Sequence, residues 1–141
     1  MNLRKTILLF VLILAPLWAR AELVVVAHPK SGIDQLSREE VINIYFGRYR
    51  RLSSGLTAEP LDMQGEAESK ALFYRGLVGK SLAEINAYWA RLVFSGKTSP
   101  PQFVASVEDA LQYVATHPGA LAYVERSKAD RRVSIVFEMA E

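Results

Sequence analysis

The sequence predicts an α/β domain in which a small mixed sheet is flanked by helices. Three observations carry this. Leu23 to Ala27 (LVVVA) is a short β-branched run of the kind that forms a buried strand. Ser37-Arg38-Glu39-Glu40 and Ser81-Leu82-Ala83-Glu84 are capping boxes, each placed to open a helix. Two late apolar runs, Ala120 to Val124 and Val133 to Phe137, read as further strands.

The elements follow in order. The first strand is closed by His28-Pro29. The Ser37 hydroxyl can accept from a free backbone N–H while Glu40 reaches back, so a short helix runs to Phe46 and stops at Gly47. Residues 48 to 58 are polar and contain glycine, which makes them a loop. Glu59 to Met63 is a short strand, and a helix follows from about Glu66 to Val78, with Gly79 after it. Beyond the second capping box, Leu82, Ile85, Trp89 and Leu92 form one apolar stripe. Ser95-Gly96-Lys97 ends that helix, and Pro100-Pro101 prevents its early resumption. Ser106 with Asp109 caps a last helix, whose Val107, Ala110, Leu111 and Val114 share a face and which His117-Pro118-Gly119 ends. The resulting order is β-α-β-α-α-α-β-β, with no internal repeat and no low-complexity tract.

The N-terminus sets the expected compartment. Arg4 and Lys5 precede an apolar run from Thr6 to Trp18, and Ala19-Arg20-Ala21 offers a small-x-small cleavage site. Residues 1–21 therefore read as a secretory signal peptide and residues 22–141 as a single domain. Pro16, Arg20 and Glu22 argue against a spanning helix, which needs roughly 20 apolar residues. Losing Arg4, Lys5 and Arg20 from the 17 basic residues leaves 14 against 15 acidic ones, a formal charge of −1. A general polyanion-binding role loses its support, and nucleic acid is not an expected partner. The chain has no cysteine, so its fold uses no disulfide.

Motifs for catalysis are weak. Gly96-Lys97-Thr98 lacks the glycine that a nucleotide-binding loop requires five positions earlier, where Arg91 stands. His28 and His117 have no partner at metal-ligand spacing, so no metal and no cofactor is expected. His117 suits the C-terminal end of its helix. No G-x-S-x-G elbow occurs. Asp62 and Glu66 read as carboxylates facing water, and the expectation is a protein that is not an enzyme. Arg48-Tyr49-Arg50-Arg51, and Arg126, Lys128, Arg131 and Arg132, are basic stretches able to meet lipid headgroups or an acidic protein. Trp89 reads as core.

Several segments point to a family. LSREEVINIYFG (36–47), NAYWARLVFSGK (86–97) with Pro100-Pro101, and HPGALAYV (117–124) resemble segments of the phosphate-binding receptors of ABC transporters, and in particular their short, exported, single-lobe relatives. The resemblance spans roughly residues 23 to 125. It implies a single-lobe, type II periplasmic-binding-protein-like domain, with half of the usual ligand shell missing. It also implies a periplasmic solute-binding protein for a small oxyanion such as phosphate, with a membrane transporter or envelope protein as partner. The rival expectation is an accessory, protein-interaction module that keeps the fold without the ligand.

The family's anion loop resembles Arg-x-Asp-Gly-Ser-Gly-Thr before a helix carrying a Phe. Anchored on Phe73, the threonine position is Ser69, the Gly-Ser-Gly positions are Glu66, Ala67 and Glu68, the Asp position is Gly65 and the Arg position is Met63. One hydroxyl survives, and the guanidinium that would grip phosphate bidentately does not. The expected ligand contacts are accordingly Gln64, Gly65 and Ser69, with Ser31 and Gly32 in the loop after the first strand as a different anion surface. Ala122 stands where the family more often has glycine before tyrosine.

Overall fold

The computed structural model describes residues 22–65 and 67–139. The expected signal peptide, residues 1–21, lies outside the described residues. Five strands and four helices build the domain: β1 (Leu23–Ala27), α1 (Arg38–Tyr45), β2 (Glu59–Met63), α2 (Glu68–Val78), α3 (Leu82–Ser95), β3 (Gln102–Val104), α4 (Val107–Thr116), β4 (Ala120–Glu125) and β5 (Ser134–Glu138). A single 3-10 turn at Arg126–Lys128 joins the last two strands.

The strands form one mixed sheet in the order β3-β2-β4-β1-β5. β2 runs parallel to both β3 and β4, whereas β1 runs antiparallel to β4 and to β5. Every residue of β1 is buried, and its alternation supplies two cores. Val25 and Ala27 face α1, α2 and α3; Val24 and Val26 face α4. Burying each of these valines contributes about 1.5–3 kcal/mol. The sheet is thus the middle of three layers, which is why its central strands read as unbroken apolar runs.

Local chemistry sets the helix ends. Ser37 and Ser81 each accept from the backbone N–H three residues on, and Glu40 and Glu84 each reach back to the cap N–H. Ser106 caps α4 in the same way, without the return bond. Gly79 and Gly96 end α2 and α3 in the left-handed region, with φ of 67° and 69°, where a side chain is strained. The α3 stripe points inward as expected, with Ile85 and Trp89 buried. His117 stacks flat on Tyr113, and its Nδ1 lies 2.9 Å from the Tyr113 carbonyl.

One strand goes beyond the sequence reading. Gln102–Val104, to which the sequence reading assigns no element, pairs in parallel with Leu61–Met63 as the edge strand β3. Three residues are too few to show alternation. Ala122, for its part, packs into the face covered by α4, so its methyl fills core.

Candidate functional site

The turn from β2 into α2 is the site the sequence singles out. Gln64 and Gly65 lie exposed, and Gly65 turns the chain with φ of 74°. The Gln64 N–H donates to the Val104 carbonyl at 2.9 Å, tying the turn to β3. α2 begins with Ala67 at its N-cap, which offers no side-chain acceptor. The other three helices are capped by serines. Among the described residues no side chain caps the N-terminal N–H groups of α2, the groups that solvent or an anion can take. Ser69 sits half-buried in the first turn, beside the Glu68 carboxylate, which complements the helix dipole.

Directly beneath lies a feature missed in the sequence. Asp62 is only 3% exposed, inside β2, rather than facing water. Tyr74 donates to its Oδ2 at 2.6 Å, and Tyr123 donates to its Oδ1. The Met63 N–H is shared between Asp62 Oδ1 at 2.9 Å and the Tyr123 hydroxyl at 3.0 Å. Lys70, also buried, places Nζ 3.9 Å from Oδ2 and 4.9 Å from the Phe103 ring centroid. Tyr45 completes the cluster by donating to the Leu61 carbonyl at 2.9 Å. Burial, and then the Asp62 charge, push the phenols of Tyr45, Tyr74 and Tyr123 well above the usual tyrosine range.

This arrangement decides what the turn can do. Lys70 stands nearest the α2 N-terminus in sequence, yet its charge is directed inward to Asp62. An anion at the turn would meet backbone N–H groups, Gln64 and the Ser69 hydroxyl, without that ammonium. A strand signal was available for Asp62: period-two alternation in EPLDM puts it on the face opposite Leu61, and both faces are covered.

Ser31 and Gly32 do not join this turn. β1 is antiparallel, so Ala27 pairs with Leu121, the same residue that pairs with Pro60 near the start of β2. Ser31 and Gly32 therefore lie at the opposite end of the sheet from Gln64, Gly65 and Ser69. Ser31 is buried, with its Oγ accepting from the Ile33 N–H at 3.2 Å. Gly32 has a φ of 77°, and a Cβ there would come within 2.8 Å of the Ser54 Cβ, so the 53–55 tip closes over it.

Three cations of the basic stretches are engaged. Arg50 donates to the Ser99 carbonyl at 2.6 Å and to Ser99 Oγ at 3.3 Å, pinning its loop to the segment after α3. Arg126 pairs with Glu22 and Glu138, and Arg132 with Glu108 and Asp130. Among the described residues no group of three metal-ligating side chains occurs, and no helix is long and apolar enough to cross a membrane.

The chain is a three-layer α/β lobe with an open turn at the carboxyl end of a parallel strand. Solved structures agree. The chain is similar to an ABC-type phosphate transport receptor from Vibrio cholerae, with a TM-score of 0.65 and 14% identity, over 82% of this chain and 45% of that one. It is similar to a protein from Clostridium perfringens described as a phosphate ABC transporter substrate-binding protein with bound phosphate (TM-score 0.65, 13% identity, 82% of this chain and 44% of that one). PstS from Borrelia burgdorferi gives a TM-score of 0.63 and 12% identity over 82% of this chain and 46% of that one. The chain thus spans less than half the length of these receptors and shares their fold over that part. No family model matches the sequence, and no curated protein does.

Proposed function

We propose that the protein is an exported, periplasmic, non-catalytic solute-binding module that takes a small oxyanion such as phosphate at the β2–α2 turn. The observation that carries this is the N-terminus of α2, which has no side-chain cap and opens from Gln64 and Gly65 on a fold shared with a receptor described with phosphate bound. Backbone N–H groups, Gln64 and Ser69 supply the donors. A membrane transporter or another envelope protein is the partner such a module serves. With Lys70 turned toward Asp62 and Glu68 at the turn, the affinity is modest. Like charges at ~4 Å repel by roughly 1 kcal/mol in bulk water and about 4 at an effective dielectric of 20.

Those same two residues favour the second reading, an accessory module that keeps the fold and has lost the anion. Thermal unfolding of the exported protein in millimolar phosphate separates the two, with chloride at matched ionic strength as control and sulfate as competitor. A ligand held only by the folded chain at tenfold excess over Kd adds about 1.4 kcal/mol. A phosphate-selective rise in Tm is the expected result. An unchanged Tm through 10 mM phosphate removes the oxyanion reading.

A further inference from the structure

A second concave surface lies away from the β2–α2 turn, between α1, the end of α2 and α3. Its volume is about 650 Å³. The floor is apolar: Ile42, Phe46, Val78, Ile85 and Tyr88. Tyr88 presents its ring only, because its hydroxyl donates to the Phe46 carbonyl at 2.7 Å. The Phe46 and Tyr88 rings meet edge to face at 5.0 Å, so the floor is a fixed surface. Ala87 and Ala90, exposed on α3, keep one wall low.

The rim is charged and mainly positive. Arg48, Lys80 and Arg91 border the groove, and none of them forms an ion pair among the described residues. Arg48 is held at the rim over the Phe46 ring, 5.9 Å from its centroid. Glu84 is the one carboxylate lining the groove, and its Oε2 already accepts from the Ser81 N–H in the α3 capping box. Three cations against this one carboxylate leave the groove with a net positive charge.

The spacing of that charge selects the occupant. Lys80 lies just before the Ser81 cap of α3 and Arg91 nine residues past Leu82, so about 13 Å of helix lies between them at 1.5 Å per residue. Arg48 stands after α1, across the groove. One anionic headgroup cannot reach cations so far apart, which disfavours a lipid. The leader carries Arg4, Lys5 and Arg20, the same sign as the rim, and is not complementary to it. We infer that this groove docks an acidic amphipathic helix of a protein partner, its apolar stripe on Phe46, Ile85 and Tyr88 and its flanking carboxylates on Arg48, Lys80 and Arg91. Such helix-in-groove recognition places apolar anchors at i, i+3, i+4 and i+7. The inference is independent of anion binding at the β2–α2 turn.

The test uses the full chain, expressed and purified after export, and a fluorescein-labelled synthetic peptide of about 18 residues with a leucine stripe flanked by glutamates. A matched peptide with lysine for every glutamate, and palmitate, are the comparison probes. Ala87→Trp fills the groove from an exposed position, and Lys80→Glu with Arg91→Glu reverses the rim; circular dichroism checks that both variants fold. Polarisation is expected to show saturable, salt-sensitive binding of the glutamate peptide, weakened at least about tenfold by either variant. The charge-reversed protein is expected to prefer the lysine peptide. Equal affinity for the two peptides, indifference to Ala87→Trp, no binding of the glutamate peptide at millimolar concentration, or binding of palmitate in its place would each overturn the proposal.

Discussion

Burying a carboxylate costs several kcal/mol unless charge and hydrogen bonds replace the lost water. Asp62 has both: two phenol donors, a backbone N–H and the Lys70 ammonium. Removing the charge leaves Lys70 buried without a counter-ion. Asp62→Asn is therefore expected to lower stability by about 3 kcal/mol in urea unfolding. Asp62→Asn combined with Lys70→Met is expected to cost clearly less than Asp62→Asn alone, because the stranded ammonium goes too. A loss below about 1 kcal/mol for the single variant would mean that the pair is solvated and contributes little. The cluster also bears on function: the cation best placed to hold an anion at the α2 N-terminus is committed to an internal one.

Among the elements, α2 departs from the pattern of its neighbours. α1, α3 and α4 start on serine caps, while α2 starts on Ala67 with φ −57° and ψ 140°, a conformation a capping residue also adopts. Ala67→Ser is expected to raise stability by about 1 kcal/mol, with the hydroxyl accepting from the Lys70 N–H. It should also weaken any phosphate-dependent rise in Tm, since it takes up a donor that the anion would use. A stability gain of zero in urea unfolding at unchanged m would show that this terminus is already satisfied. The capping boxes at Ser37 and Ser81 were legible in the sequence because every atom of a cap lies within four residues. So were the bounds of β1 and β2, which punctuation and β-branching set. The Asp62 cluster was not, since Tyr123 lies 61 residues away and no local pattern pairs them. Nor was it legible that Ser31 and Gly32 lie at the opposite end of the sheet from Gln64, Gly65 and Ser69. That follows from β1 running against β4, and strand direction leaves no mark in a run such as LVVVA.

At the scale of the whole molecule, the α1–α2 layer meets the sheet on tyrosines that are buried around one charge. Tyr45, Tyr74 and Tyr123 come from α1, α2 and β4 and face the same core, where desolvation and Asp62 hold their phenols protonated far above pH 10. The unfolded chain has no such constraint, and its phenols ionise near about 10. Below that pH both states keep these protons, and their contribution to stability is complete. Above it the folded state holds about three more protons than the unfolded one, so stability falls as pH rises. The slope approaches about −4 kcal/mol per pH unit, one 1.36 kcal/mol increment for each phenol. The exposed pairs of Arg126 and Arg132 add little to this, because solvent screens them. Urea unfolding between pH 8 and 11 at fixed ionic strength measures the slope. Tyr123→Phe is expected to remove about a third of it while lowering stability at pH 8 through the lost bond to Asp62. A flat profile through pH 11, or a Tyr123→Phe profile parallel to the parent's, would mean that the phenols reach solvent in the folded state and that α1, α2 and the sheet are packed more loosely around Asp62 than the structure indicates.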